Sequence, residues 1–396
     1  MKRLLIGAIA IATLGVQAEL KDKVYRFMPL QKDLTVLSAK GTPAANEVKY
    51  RRQSTALTPD FKEAAVNAPR FWNGGLLIEH GGKTLERGAV NYLPADGKIF
   101  SVAGKKVAGV YNQEGLEFSG TWELTPVKHQ PMLSGSYTFS FYAKGSGTLS
   151  VTPILKISGK DKALPEQKFA LTGNWNRYFV KLDAGARNKP AQMAETIRAK
   201  FQGQNVVISA PMLEGPSVYP NIHAPTTYVA PGKFREADKL SLSVMTPELG
   251  NAGAVAFNCT PQVICGWFDL FATDGSWRPQ IALSYNIYHK HAYRYQVIYQ
   301  GKTYNSRNIA FETGKTYHYV VNWDKDKFAL WVDGVKVMEH KVASKPLTKK
   351  DIWIGSRSIQ ASANGAFKNF AIFNQALTDA EIQELAKNPD LSAKLR

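Results

Sequence analysis

Short apolar runs with alternating character recur along most of the chain, broken about every 8 to 12 residues by glycine, proline or asparagine. In SYTFSFYAKG, Tyr137, Phe139 and Phe141 fall on one side, with Ser136, Thr138, Ser140 and Tyr142 opposite. That period of two is the signature of a strand with one buried face. GLEFSGTWEL, NRYFVKLDA and NVVISAPML continue the series, and PQIALSYNIYHKHAYRYQVIYQG, KTYHYVVNW, KFALWVDGVKVMEH and DIWIGS form a second one. The pattern predicts an all-β fold, two β-sandwich (jelly-roll) domains in tandem closed by a short C-terminal helix. Asp333-Gly334, set between alternating apolar residues, predicts a hairpin with a type I′ turn, because both residue types tolerate positive φ.

The C-terminal stretch GAFKNFAIFNQALTDAEIQELAKNP changes period within itself. Strict alternation puts Phe367, Asn369, Ala371 and Phe373 on one side and Phe370 and Ile372 on the other, a strand buried on both faces. Thr378 and Glu381 then stand three apart, as a capping box requires. Ile382, Leu385 and Ala386 give the following helix one apolar side, and Asn388-Pro389 ends it.

The chain of 396 residues is long enough for two domains. MKRLLIGAIAIATLGVQA reads as a signal peptide, residues 1–18, cleaved after Ala18, because its apolar run is shorter than the roughly 20 residues of a spanning helix. Residues 19–67 show no clear periodicity, residues 68–227 carry the first strand series, 228–233 is read as a linker, and 234–390 carries the second. Export predicts a secreted, periplasmic or cell-surface protein without membrane insertion. It also favours a disulfide between Cys259 and Cys265, the two cysteines of the chain, over a pair of buried thiols. Fifty Lys and Arg against 32 Asp and Glu leave a formal charge of +18, or +16 once Lys2 and Arg3 depart with the signal. Such an excess suits a general surface charge or attraction to an anionic polymer. The basic residues are dispersed apart from KYRR at positions 49–52, and no nucleic-acid motif is present, so nucleic acid is not expected as a partner.

The order GKTYHYVVNWDKDKFALWVDGVKV, IWIGS, GAFKNFAIFNQALTDAEIQEL resembles a laminin G-like, concanavalin A-like jelly roll over about residues 234–389. It departs from that family at Tyr317-His318, where many relatives carry Trp-His. Upstream, PRFWNGGLLIEHGGKTLE, YTFSFYAKGSGTLSV, WNRYFVKL and VVISAPMLEGPSVYPNIHAPTT resemble the carbohydrate-binding-module jelly roll of secreted glycan-degrading and phage tail proteins. These resemblances imply sugar binding or a spacer role, and in the first family a closing strand and helix packed on the sandwich.

Catalytic motifs are missing. The Glu-x-Asp-x-x-Glu of concanavalin A-like glycanases is approached only at Glu236-Ala237-Asp238, followed by Ser241, and at Asp379-Ala380-Glu381 with Glu384, both read as solvated charge. Gly-x-Ser-x-Gly and His-Glu-x-x-His are absent. His289 and His291 could hold a metal only with a third ligand from elsewhere and are read as a turn or packing pair, so no cofactor is expected. Asp324, Asp326 and Asp333 leave calcium as an alternative, weakened by the interleaved Lys325 and Lys327. Sugar faces stack on exposed rings, which selects Trp277 in the turn-like DGSWRPQ, Tyr288 and Arg294 on the outward side of ALSYNIYHKHAYRYQV, and Trp122 in the first jelly roll. Trp175 matches a family position that packs internally. The first-ranked reading is non-catalytic binding of a polysaccharide or cell-surface glycan, anionic in the sharper form. A structural or adhesive protein and a divergent glycan hydrolase or lyase follow it. The oligomeric state is left open.

Overall fold

The structure is a computed structural model that describes residues 20–38, 47–57, 62–79, 90–96, 98–111, 113–133, 136–183, 194–217, 226–233, 235–243, 250–262, 267–274, 276, 279–287, 293–309, 312–343, 345–348, 351–356 and 363–395. The proposed signal segment, Cys265, Trp277, Tyr288, His289 and His291 lie outside these.

The second strand series builds two antiparallel sheets packed face to face. One runs, in spatial order, Val335–Lys341, Lys327–Val332, Tyr317–Trp323, Gly253–Pro261, Gly365–Phe373, Gly75–Ile78 and Phe71–Trp72, with Val24–Met28 also paired to Gly365–Phe373. The other runs Val48–Arg51, Lys239–Ser243, Asp351–Ile354, Trp267–Ala272, Ile281–Ile287, Tyr293–Tyr299 and Lys302–Asn308. Phe257, Tyr319, Leu330 and Phe367 from the first sheet meet Leu240, Leu283, Tyr295 and Ile354 from the second in one core. Asp333 (φ 51°) and Gly334 (φ 76°) make the expected primed turn, bringing Val332 opposite Val335.

Both sheets recruit strands from the N-terminal segment that showed no clear period. Val24–Met28 is buried at all five positions, so alternation could not reveal it. Tyr25 and Met28 enter the inter-sheet core, while Val24 and Phe27 lie on the opposite face of the sheet. Buried Arg26 is answered by Glu47, whose Oε1 accepts from Arg26 Nε at 2.5 Å. Phe71–Trp72 and Gly75–Ile78, which fall inside the span read as the first jelly roll, likewise extend the sheet of Gly365–Phe373.

That closing strand departs from strict alternation at one residue. Asn369 adopts φ 52°, and between the pairs Ala256↔Ala371 and Asn258↔Lys368 two residues oppose one, a bulge. Phe367 and Phe370 therefore share the inter-sheet core with Ile372, while Ala371 and Phe373 face the other way. On this second face Ala254, Ala256, Ala329 and Ala371 keep the surface low, and the helix Asp379–Lys387 settles there through Ile382 and Leu385. Its capping box is complete: Glu381 N–H donates to Thr378 Oγ1, and Thr378 N–H donates to Glu381 Oε2 at 2.6 Å. Glu381 is buried rather than solvated, and Lys23 pairs with it at 2.7 Å.

The residues between these strands form a separate antiparallel sheet whose spine is Ala194–Ser217. Along one edge it pairs with Thr148–Ile157 and then Ser136–Lys144, and along the other with Val127–Leu133 and Glu114–Glu123. Its core holds Phe139, Phe141, Phe201 and Trp122. Trp122, expected among the sugar-binding rings, is 2% exposed and stacked between Phe118 (4.7 Å) and Phe201 (5.7 Å). It shares a strand face with Leu116 and Phe118, so alternation places it inside.

Cys259 also corrects an expectation. Its side chain follows Val255 and Phe257 into the inter-sheet core, where the thiol is free, buried and pushed far above its usual pKa by that burial. Pairing on both sides, with Tyr317 and Phe367, holds it there.

Candidate functional site

Two of the charged clusters among the described residues bear on function, one closed and one open. The closed one lies where the middle sheet joins the sandwich. Arg70 bridges Glu79 (2.7 Å) and Asp238, Arg52 reaches the other Asp238 oxygen at 3.1 Å, and Arg235 lies 3.4 Å from Glu79. Asp238 further accepts from Tyr50 Oη (2.6 Å) and from the Glu79 amide (2.9 Å). Burial opposes the Glu79 charge, yet Arg235 and Arg70 prevail and hold its carboxyl at about 2. These five charged side chains are at most 2% exposed and committed to one another, so their role is architectural.

This cluster continues through the last residues of the span read as the first jelly roll into the segment read as a linker, 228–233. Thr227 N–H donates to Glu79 Oε1 and Thr227 C=O accepts from Arg235. On the other side, Thr226 N–H and Oγ1–H both donate to Glu214 at 2.7 Å, and Arg177 donates to Thr226 C=O at 2.6 Å. Asn91 donates to Val229 C=O at 2.8 Å. Linkers between independently moving domains are exposed and make few contacts. Thr226–Val229 is buried and hydrogen-bonded to both sides, which couples the two units.

Burial, set against the Thr226 hydrogen bonds and the charges of Arg177 and Arg235, pushes Glu214 up to about 7. An unfolded glutamate titrates near 4.3, so between these values the folded chain binds more protons than the unfolded one and stability falls as pH rises. The contribution is fully present below about pH 4.3 and lost as pH rises through about 7. In Glu214→Gln, which stays neutral, the melting temperature should gain steadily on the wild type from about pH 4.5 to 7.5 and then run parallel to it. A constant offset across that range would refute the assignment.

The open place is a groove of about 310 Å³ on the outer face of the second sandwich sheet, at the end where Val48–Arg51 is added. Alternation makes it. Leu240, Leu242, Ile352 and Ile354 point into the core, which turns Lys239, Ser241, Asp351 and Trp353 outward. Val48 and Tyr50 pack against the same core and turn out Lys49 and Arg51. Register completes the surface: Ser241 pairs with both Lys49 and Trp353, and Lys239 stands opposite Arg51. Trp353 is half-buried, Lys49 and Arg51 are exposed, and Ala272, a buried small residue, lies directly across from the indole-bearing position. Asp351 accepts from Ser243 Oγ at 2.8 Å, and Gln53, Glu236, Ala237 and buried Arg52 close the rim. The arrangement offers a ring face, hydroxyl and carboxylate acceptors for sugar hydroxyls, and ammonium and guanidinium donors.

Arg294 is on the same outer face, half-buried opposite Asn286, but three strands and about four residues from Trp353, on the order of 20 Å away. Between them Asp269, Ser284 and Gln296 form a buried polar row in which Ser284 Oγ donates to Asp269 at 2.5 Å. Trp175 is half-buried beneath Lys144 Nζ, 4.8 Å from the ring centroid. Asp324 caps the amides of Asp326 and Lys327, Asp333 accepts from the His318 amide, and no three His, Cys, Asp or Glu converge as metal ligands among the described residues. At Tyr317-His318, burial pushes His318 down to about 4, and its neutral ring lies 3.2 Å from Asn258 Oδ1. Sequence reasoning missed the groove, although Trp353 out of phase in DIWIGS and the KYRR cluster carried the signal. Only the pairing of strands about 190 and 110 residues apart joins them.

Residues 240–383 match the model of the laminin G 3 family, of the concanavalin A-like lectin/glucanases superfamily. No curated protein matches the chain. Solved structures with partial likeness include a heptameric SAP-like pentraxin from Limulus polyphemus (16% identity, 35% of this chain and 70% of that one, TM-score 0.31). Domain 4 of an extracellular arabinanase from Geobacillus stearothermophilus, in complex with arabinotriose, is similar over 43% of this chain and 85% of its own (15% identity, TM-score 0.31). Trypanosoma rangeli sialidase is matched over 29% of its length and 42% of this chain (14% identity, TM-score 0.32).

Proposed function

Taking residues 240–383 as a concanavalin A-like domain, we propose that this chain is an exported protein that holds a polysaccharide on the outer face of its C-terminal sandwich without cleaving it. The reading rests on one observation, the groove in which Ser241 stands between the basic strand Val48–Arg51 on one side and, on the other, the strand that presents Asp351 and the half-buried ring of Trp353. A half-buried indole is braced by its neighbours yet leaves a face for the C–H side of a pyranose. The leader-like N-terminus supports export. No described helix is long and apolar enough to cross a membrane. The non-catalytic half of the reading follows from the missing glycanase motif.

A glycan array probed with the purified protein tests the reading, with Trp353→Ala as the partner sample. Signals on one or more polysaccharides should drop about fivefold or more in the variant, the loss of a ring worth about 1 kcal/mol. A blank array would move the preference to a structural or adhesive role. Release of reducing ends or unsaturated products from a bound glycan would overturn the non-catalytic half.

A further inference from the structure

We infer that the groove selects an anionic polysaccharide, carboxylated or sulfated, and that two of its three selecting charges, Lys49 and Arg51, are supplied by an N-terminal strand added to the C-terminal sandwich. This deepens the polysaccharide reading and rests on it. Of the groove residues, Ser241, Asp351 and Trp353 lie within 240–383, whereas every cation, Lys49, Arg51, Arg52 and Lys239, lies before it. Strand addition by Val48–Arg51 therefore brings Lys49 and Arg51 beside Lys239 on a surface that otherwise carries a ring, a hydroxyl and the carboxylates of Asp351 and Glu236, and tips its balance toward positive charge.

The cations are not equivalent. Arg52 is buried and answered by Asp238, so it is committed to the fold. Lys49, Arg51 and Lys239 have no carboxylate within ion-pair distance among the described residues, and Lys239 stands directly opposite Arg51. Like charges on directly opposed positions destabilise a sheet. An anion seated between them would relieve that repulsion. A chain designed only for solubility would gain by alternating the sign across this pair, as it does at Lys105↔Glu117, where the ion pair is 3.4 Å. Asp351, engaged by Ser243, remains as an acceptor for hydroxyls, which suits a sugar carrying both hydroxyl and acidic groups better than a bare polyphosphate.

The test is affinity electrophoresis and calorimetry of the full chain against polygalacturonate, chondroitin sulfate, neutral dextran and duplex DNA, at about 50 and about 500 mM NaCl, where screening shortens to a few ångströms. An acidic polysaccharide should bind tightly at low salt and more weakly, but still measurably, at high salt. Arg51→Gln with Lys239→Gln should weaken it about tenfold or more at low salt while melting no lower than the wild type, since the opposed like charges are gone, and Trp353→Ala should weaken it at both salts. Neutral dextran binding as tightly as the acidic glycans, lost in Trp353→Ala and intact in the double variant, would overturn the anionic assignment and leave glycan binding standing. Acidic glycan bound undiminished by the double variant would place the site elsewhere. Duplex DNA bound more tightly than any glycan, and lost in the double variant, would assign the cations to nucleic acid. Absence of any glycan binding at either salt would remove the parent reading along with this one.

Discussion

Asp238→Ala should lower the stability of the chain by about 3–5 kcal/mol, a large part of the roughly 5–15 kcal/mol that holds a domain folded. The carboxylate is fully buried and neutralises Arg70 and Arg52 at once, while accepting from Tyr50 and from the Glu79 amide. The variant would strand Arg52 without a counter-charge and leave Glu79 alone to answer both Arg70 and Arg235 in a site that water does not reach. The loss comes from that abandonment rather than from the intrinsic strength of the pairs. Lys105→Ala is the matched control, since its pair with Glu117 is exposed and worth at most about 1 kcal/mol. Urea unfolding decides: midpoints that fall equally in the two variants would show that Asp238 does not hold the junction. Because Glu79 and Arg235 grip Thr227 from the same cluster, the Asp238 variant should also make the 226–233 segment susceptible to proteolysis before global unfolding.

A chain beginning at Pro29 should fail to fold, although it retains every residue of the family-matched region. Val24, Tyr25, Phe27 and Met28 are at most 1% exposed. At about 1.5–3 kcal/mol for each fully buried apolar side chain, their removal costs about 6–12 kcal/mol as an upper estimate, comparable to the whole stability of a domain. It also bares the edge of Gly365–Phe373 that Val24–Met28 covers, an invitation to intermolecular pairing. A chain beginning at Glu19 keeps the strand and should remain soluble. Equal soluble yield and equal near-ultraviolet circular dichroism for the two chains would show that the strand is dispensable.

Local chemistry was legible in the sequence wherever one residue and its near neighbours settle the outcome. Thr378 and Glu381 had to cap a helix because their spacing closes two hydrogen bonds within one turn, and Asp333-Gly334 had to reverse the chain because both tolerate positive φ. Alternation marked the strands with one wet face, and its phase carried Trp122 inward with Phe118. Tertiary structure decided the rest, for reasons of reach. Val24–Met28 is apolar on both faces except for Arg26, so no period announces it, and its partner Phe370–Phe373 lies some 350 residues away. The bulge at Asn369 reverses the facing of everything before it, a one-residue event that strict alternation cannot express. Cys259 was placed by the phase of its strand and the sheet on both sides of it, which outweigh its nearness in sequence to Cys265. The groove depends most on the assembled fold: Lys49, Lys239 and Trp353 each turn outward by local alternation, but they become one surface only because sheet register brings three distant strands side by side.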